Sequence, residues 1–247
     1  MTDIGTSEAT DTPATGASKD EAPDDDIGAS VDDFDGGRRE TIAGLVLVGI
    51  TLAGALYFRW RPGPIFLDHW GFSLIHPDLS STWWKHIIYL RAAPVLIGGS
   101  ILAAVIVSGR DKWRSLACLV APTAAVMLTE LVLKPVIARR YIEVLTYPSG
   151  TTTIVSSVAT AFIIAVPKRI RPAVVAVSAF VVALECMAVI AMQWHFPTDA
   201  LAGAIFGAGV VLLVDGVLHI EVNIHRRRAR EQAAARIQPP QDAVPVT

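Results

Sequence analysis

Long apolar runs alternate with short polar segments along most of the chain, and six of the runs approach the thickness of a bilayer core. Apolar runs of this length predict membrane-spanning α-helices. The six predicted spans are residues 41–58, 87–107, 115–133, 152–166, 173–193 and 200–220. The fourth is the shortest, so we expect either that its ends lie in a polar cavity or that it crosses only in part. The pattern therefore predicts an all-α, polytopic membrane protein with six transmembrane helices.

Composition supports a membrane protein and divides the chain into three parts. The 247 residues are 52% hydrophobic, which is typical of membrane proteins. Residues 1–37 hold eleven acidic side chains and one base, Lys19, among small polar residues, whereas the remainder holds twelve acidic and twenty basic ones. We expect a disordered acidic tail over 1–37, a six-helix membrane domain over 38–225, and a C-terminal tail over 226–247 that is first basic and then disordered. The acidic tail is a candidate site for a protein partner.

The basic residues predict the orientation in the membrane. Segments that precede the first span, join the second to the third and the fourth to the fifth, and follow the sixth are rich in Lys and Arg. The positive-inside rule then places both termini in the cytoplasm of a multi-pass cell-membrane protein. Bases on the predicted outer side oppose this trend: Arg59, Arg61 and Lys85, and the cluster Lys134, Arg139 and Arg140. The cluster indicates either ligand binding or snorkelling to lipid head groups.

The first predicted outer loop, residues 59–86, is rich in aromatic side chains. Trp60, Trp70, Trp83 and Trp84 predict an interfacial belt, and a narrower alternative is that they line the route of a lipid. Ionisable residues within or near the spans, Arg91 among them, are expected to face the bundle interior or to find partners.

Three groups of polar residues fall at the outer ends of the predicted spans. Lys134 and Arg139 end the third span and can converge on one anion. Ser149 and Gly150 precede the fourth span, where close backbone approach and free helix N–H groups suit a phosphate. Thr151 or Thr152 is expected to cap this helix, and a capped helix start is the plain alternative to an anion site.

A histidine and an aspartate, His195 and Asp199, stand four residues apart at the start of the sixth span. Because Pro197 suits a first helical turn, we expect the two side chains on adjoining turns, with the carboxylate near the imidazole. A carboxylate on one ring nitrogen would fix the tautomer and leave the other nitrogen as a nucleophile. Glu130, four residues before Lys134, is expected to hold the lysine in place.

These motifs resemble those of the type 2 phosphatidic acid phosphatase superfamily, six-span membrane phosphatases with the pattern K-x6-R-P, P-S-G-H and S-R-x5-H-x3-D. Lys134 matches the first lysine, Pro148-Ser149-Gly150 the second motif, and His195 and Asp199 the nucleophile and its orienting carboxylate. The most specific piece is His195-Phe-Pro-Thr-Asp-Ala-Leu-Ala-Gly203. The resemblance covers about residues 41–220 and implies a bundle like that family's core.

The chain departs from the family pattern at three positions. Thr151 stands where the family has the histidine that protonates the leaving group, Val189 replaces a phosphate-binding arginine, and Tyr141 occupies the arginine position of the first motif. Arg140 is a candidate replacement for the lost charge. His69, His76 and His86 of the first outer loop are candidate proton donors. Losing a general acid costs on the order of 10²–10⁴ in rate.

The resemblance implies a membrane lipid phosphatase that hydrolyses a lipid phosphate or diphosphate, of polyprenyl or phosphatidate type, on the outer face through a phosphohistidine. His195 and Asp199 are the predicted catalytic residues. The predicted phosphate ligands are Lys134, Arg139, Arg140, Ser149, Gly150 and Thr151. No metal or other cofactor and no nucleic acid is expected, and the partners are the lipid substrate and membrane lipids. The alternative is a catalytically impaired relative that binds lipid phosphates or acts as a membrane scaffold.

Overall fold

The computed structural model describes residues 25–75 and 82–237, which form an almost entirely helical structure. The first and last helices of the described chain, α1 (Asp25–Trp60) and α9 (Pro197–Ile237), are long and pack along each other. Their contact is the most extensive between any two elements of the described chain. A single two-stranded antiparallel hairpin interrupts the helices, with Arg140 opposite Leu145. The helices are α1 (Asp25–Trp60), α2 (Phe66–Leu74), α3 (Thr82–Ile88), α4 (Ala93–Ser108), α5 (Lys112–Met127), α6 (Lys134–Ile137), α7 (Gly150–Ala165), α8 (Arg171–Ala191) and α9 (Pro197–Ile237), and the strands are β1 (Arg140–Tyr141) and β2 (Val144–Leu145).

Every predicted apolar run corresponds to helix, but the count of six spans is not confirmed. Among the described residues, four stretches are long and apolar enough to cross a membrane: Gly37–Trp60, Lys112–Ile137, Arg171–Ala191 and Pro197–Ala233. A fifth results if α3 and α4, bent by 53° at their junction, are taken as one span. The second of the four is continuous because a π-helical turn, Leu128–Leu133, joins α5 to α6.

The helix α7 corresponds to the short fourth run, and it lies at the centre of the bundle. Its 16 residues extend roughly 24 Å at 1.5 Å per residue, less than a bilayer core of about 30 Å. It contacts α4, α5, α8 and α9, and most of its side chains are buried. The core here is built from α4, α5, α7 and α9, and its small residues include Ala103, Ala121 and Ala161. Small side chains let helix backbones approach closely.

Glycines allow the closest helix contacts. A Cβ atom on Gly44 of α1 would lie 2.5 Å from the backbone nitrogen of Leu213 in α9. A Cβ atom on Gly203 of α9 would overlap the carbonyl oxygen of Ser149 and the hydroxyl of Thr152. The second contact brings the start of α9 directly against the start of α7. The two motifs that the sequence places on these helices are therefore neighbours in space.

Ion pairs connect α1, α5 and α9 at the other end of the bundle. Arg114 Nε lies 3.2 Å from Asp215 Oδ1, and Arg114 Nη2 lies 3.5 Å from Glu40 Oε2. His219 Nε2 lies 2.7 Å from Asp111 Oδ2. Asp215 follows Asp199 by sixteen residues on the same helix, which is roughly 24 Å along its axis. This network is therefore remote from the His195 region.

The predicted tails fall partly outside the described residues. Residues 1–24 and 238–247 are not among those described, and α1 already begins at Asp25 while α9 continues to Ile237. The division into two tails and a central domain stays a prediction.

Candidate active site

The turn between α8 and α9 presents His195. Helix α8 ends in a Schellman-type arrangement, in which the backbone N–H of Trp194 donates to the carbonyl of Val189 and that of Gln193 to Ile190. Gln193 takes a left-handed backbone conformation, with φ of 53°. Helix α9 then begins at Pro197. The prediction that His195 and Asp199 lie on adjoining turns of one helix is wrong, because His195 precedes the first turn.

The imidazole of His195 is buried and held by a backbone acceptor. Its Nδ1 lies 3.1 Å from the carbonyl oxygen of Thr146, and the residue is 8% exposed. Burial, together with the positive charges of Lys134 and Arg91, lowers the pKa of His195 to about 3. The ring is therefore neutral at physiological pH. With Nδ1–H donating to Thr146, the lone pair belongs to Nε2, the state required of a nucleophile.

Asp199 lies in a fully buried ion-pair network. One carboxylate oxygen pairs with Arg139 Nη1, and the other accepts a hydrogen bond from the backbone N–H of Phe196 at 3.2 Å. Among the hydrogen bonds of the described residues none joins Asp199 to His195. The carboxylate instead caps the start of α9 and neutralises Arg139.

Asp68 of α2 is the second carboxylate on Arg139, and the sequence interpretation did not identify it. Asp68 Oδ2 lies 2.8 Å from Arg139 Nη2. Its Oδ1 accepts hydrogen bonds from the backbone N–H and the hydroxyl of Thr198, at 2.9 and 2.6 Å. Asp68 thereby attaches the aromatic-rich loop to the start of α9. Its only sequence signal is an acidic residue within an otherwise apolar, aromatic segment.

Every N–H of the Arg139 guanidinium is engaged by the protein. Nε donates to the Pro62 carbonyl and Nη2 to the Gly63 carbonyl, both at 3.2 Å, in addition to the bonds with Asp68, Thr198 and Asp199. The planar group also lies between two aromatic rings, 3.7 Å from the Phe58 centroid and 4.2 Å from that of Phe196. In this arrangement Arg139 has no donor free for a phosphate.

The start of α7 provides an anion-binding geometry. Ser149 caps the helix, and its hydroxyl accepts from the backbone N–H of Thr152, so the prediction of Thr151 or Thr152 as the cap is wrong. The helix begins at Gly150, and first-turn N–H groups have no acceptor within their own helix. Hydroxyls of Thr152 and Thr153 donate to the carbonyls of Ala200 and Gly203, at 2.9 and 3.2 Å. These bonds fix α7 against α9.

Lys134 and Glu130 lie at the same place as Gly150. The ammonium group of Lys134 is 2.7 and 2.9 Å from the two carboxylate oxygens of Glu130, which confirms the predicted helix pair. A Cβ atom on Gly150 would overlap Glu130 Oε1 and lie 3.4 Å from Lys134 Nζ. Glycine at 150 therefore leaves the space that the Glu130 carboxylate occupies. The positive charge of Lys134 also acts on His195, as its effect on the histidine pKa shows.

A cavity of about 790 Å³ opens beside this group. Its lining includes Gly150 and Thr151 from α7, Glu130 from the π-helical turn, and Trp194 next to His195. Two bases from the α3–α4 region, Lys85 and Arg91, also line it. The Arg91 guanidinium lies 4.6 Å from the centroid of the Trp194 ring. Neither base was among the predicted site residues, although a charge inside the predicted second span marked Arg91 as unusual.

Several other predicted positions, Arg140, Tyr141 and Val189 among them, are not part of the cavity lining. Arg140 is exposed on the hairpin, where it donates to the carbonyl of Glu143 at 2.9 Å. Tyr141 packs edge-on against Phe196, with ring centroids 4.6 Å apart. Val189 is fully buried in an apolar cluster. Of the three candidate proton donors, His69 and His86 are exposed on α2 and α3, and His76 lies outside the described residues.

Comparison with known proteins places this geometry in a family. A sequence model of the PAP2 superfamily matches residues 95–219, which is half of the chain. The matched segment runs from α4 to the middle of α9, so it contains Lys134, the Ser149–Gly150 turn, His195 and Asp199, and it excludes Lys85, Arg91 and Asp68. No curated protein and no solved structure matches the chain.

Proposed function

This chain belongs to the PAP2 superfamily, and we propose that it is an integral membrane phosphatase. It would cleave lipid diphosphates through a phosphohistidine at His195. The family is associated with phosphatase activity on phosphate esters, often those of lipids. The observation that carries the proposal is the state of His195: a neutral ring, held at Nδ1 by the Thr146 carbonyl and acted on by the charge of Lys134. The preceding residue, Trp194, lines the cavity.

The proposed reaction has two steps. In the first, His195 Nε2 attacks the terminal phosphorus and an N–P bond forms. The bond from phosphorus to the bridging oxygen breaks, and the lipid monophosphate leaves with that oxygen. In the second, water attacks the phosphohistidine, which releases inorganic phosphate and restores the neutral imidazole. Lys134, the first-turn amides of α7 and the hydroxyl of Thr151 hold the phosphate oxygens, because positive charge and N–H groups stabilise the charge that develops there.

A lipid diphosphate is the favoured substrate because position 151 carries threonine. An alkoxide leaving group requires a proton in the transition state, and the family's histidine would supply it. The leaving group of a diphosphate is a phosphate, which departs with far less protonation. The chain therefore retains the nucleophile for a reaction in which the acid matters least.

Asp199 and Arg139 act as positioning residues in this proposal. Thr146 fixes the histidine tautomer directly, whereas Asp199 holds the backbone of Phe196 and the guanidinium of Arg139. The network thereby fixes the turn that carries His195. The further elements of the proposal are a sixth membrane span formed by α7, cytoplasmic termini, and an active site on the outer face.

The direct test is phosphate release by the detergent-purified full chain from lipid diphosphates and the matching monophosphates. We expect turnover of the diphosphates to exceed that of the monophosphates, and His195→Ala to reduce it by at least about a thousandfold. His225→Ala is the matched control, since this histidine is exposed on α9, far from the site. Equal turnover in His195→Ala and the wild type would refute the mechanism.

A second candidate function is lipid-phosphate binding without turnover. The burial of Val189 in an apolar cluster favours it, because the family's phosphate-binding arginine has been replaced by a packing residue. Folded protein that binds lipid diphosphates but releases no phosphate above the His195→Ala level would support this alternative.

A further inference from the structure

Arg91 is a basic residue in the lining of the cavity at the proposed phosphate site. It lies in the 3₁₀ turn Tyr89–Arg91, immediately before α4, and it lines the same cavity as Gly150 and Thr151. Among the described residues, its guanidinium interacts electrostatically with the buried carboxylate of Glu185 but is not hydrogen-bonded to it, so the N–H groups of Arg91 remain available. Arg139, by contrast, has every donor engaged.

The stacking of Arg91 on Trp194 fixes where this charge lies. The 4.6 Å separation between guanidinium carbon and ring centroid is within the range of a cation–π contact. A stacked guanidinium keeps the N–H groups at its edge free for hydrogen bonds to an anion. Trp194 is bonded to His195 in the chain, so the contact brings Arg91 close to the nucleophile. The effect of its charge on the pKa of His195 agrees with that proximity.

We infer that Arg91, held by Trp194, binds the phosphate group of the substrate and thereby supplies the charge that Val189 does not. The arginine of the family's third motif belongs to the segment just before the nucleophile, and here that position is buried and apolar. Arg91 reaches the site from a different part of the chain, outside the segment that matches the family. This inference rests on the proposed function, since it concerns the same site.

Lys85 extends the positive lining of the cavity from α3. It borders the same cavity and forms no ion pair within the described residues. Among the described residues, neither Lys85 nor Arg91 is hydrogen-bonded to a carboxylate, whereas Lys134 is paired with Glu130. Three bases near one cavity suit a ligand with more negative charge than a single phosphate. The anion that this site recognises best is therefore a diphosphate group, either as part of a lipid or free in solution.

Binding of inorganic diphosphate to the detergent-purified full chain tests the inference without turnover. In calorimetry at low salt, we expect Arg91→Ala to raise the Kd for inorganic diphosphate by about ten- to a hundredfold, because a charge-assisted contact is lost. Arg91→Lys should lose less affinity for diphosphate, because it keeps the charge. The affinity of Trp194→Leu should lie between those of the wild type and Arg91→Ala. Arg61→Ala, which removes an exposed arginine of the same outer loop region, should bind as the wild type does.

Inorganic phosphate and a lipid diphosphate in micelles form the other arms. Weaker binding of both diphosphates by Arg91→Ala, with an unchanged melting temperature, would support the inference. Loss of affinity for the lipid alone would show that Arg91 contacts the lipid rather than the phosphate, and would overturn it. Affinities of Arg91→Ala equal to those of Arg61→Ala for every ligand, or no binding by the wild type at millimolar concentrations, would also overturn it.

The inference and the proposed function can fail separately. If the wild type releases phosphate in a His195-dependent manner while Arg91→Ala retains its kcat and KM, only the role of Arg91 is refuted. If no protein releases phosphate but Arg91→Ala binds diphosphate more weakly, the role of Arg91 stands and the catalytic proposal is refuted.

Discussion

Replacing Arg139 by methionine tests whether this residue positions the site or binds phosphate. The substitution keeps much of the side-chain volume and removes the cation that, among the described residues, is paired with both Asp68 and Asp199, which are fully buried. Breaking a buried ion pair by removing one partner costs about 3–5 kcal/mol, because the remaining charge is uncompensated. Two carboxylates are left here, so the upper end of that range applies.

The expected result is a large loss of thermal stability. For a chain of this size, 1 kcal/mol corresponds to roughly 2–4 °C in melting temperature, so a loss of about 5 kcal/mol in Arg139→Met should lower it by about 10–20 °C. Arg139→Lys should give a smaller decrease, because it keeps the charge but has only three donors and no planar face to lie between Phe58 and Phe196. Unfolding of the detergent-solubilised protein, followed by tryptophan fluorescence, measures both.

The neighbouring residue is the matched control. Arg140 is exposed and makes one hydrogen bond within the hairpin, so Arg140→Met should shift the melting temperature by less than about 2 °C. A melting temperature for Arg139→Met that equals the wild-type value, together with weaker binding of inorganic diphosphate, would refute the reasoning. Arg139 would then be a phosphate ligand, as the sequence alone predicted.

Two further predictions concern close approach and protonation. Gly203→Ala should reduce turnover at least about tenfold and lower the melting temperature, because the added Cβ overlaps Ser149 and Thr152. Gly98→Ala is the control, since a Cβ atom at position 98 has no neighbour within 4 Å. Equal effects of the two substitutions would contradict the prediction. The depressed pKa of His195, about 3 against an ordinary 6.5, means that the unfolded chain binds a proton in this window while the folded chain does not. The contribution of His195 to the free energy of unfolding is therefore fully present above pH 6.5 and is lost towards pH 3, by up to about 1.4 kcal/mol per pH unit. As the pH is lowered, the melting temperature of the wild type should fall more steeply than that of His195→Gln. Parallel curves of melting temperature against pH would contradict this prediction.

The helices were predictable because their signal is local. Each apolar run that the sequence marked corresponds to helix, and Pro197 starts α9 as its fixed backbone angle requires. The residues at which the helices begin and end were less predictable. The cap of α7 is Ser149 rather than a threonine, because capping depends on backbone angles at one residue. The number of membrane spans was also not settled by apolar length, since α7 is short and α3 and α4 are bent apart.

The sequence by itself determined the family, the PAP2 superfamily, and it predicted His195, Lys134 and Ser149–Gly150 as the phosphate-directed residues. Only the tertiary structure decided how the charges are paired. Asp199 and Asp68 converge on Arg139, a backbone carbonyl orients His195, and Arg91 comes from another helix to stack beside it. The physical reason is that apolar periodicity and motif spacing are properties of neighbouring residues. Pairing of charges depends on which distant segments meet, and that follows from how closely the helices pack.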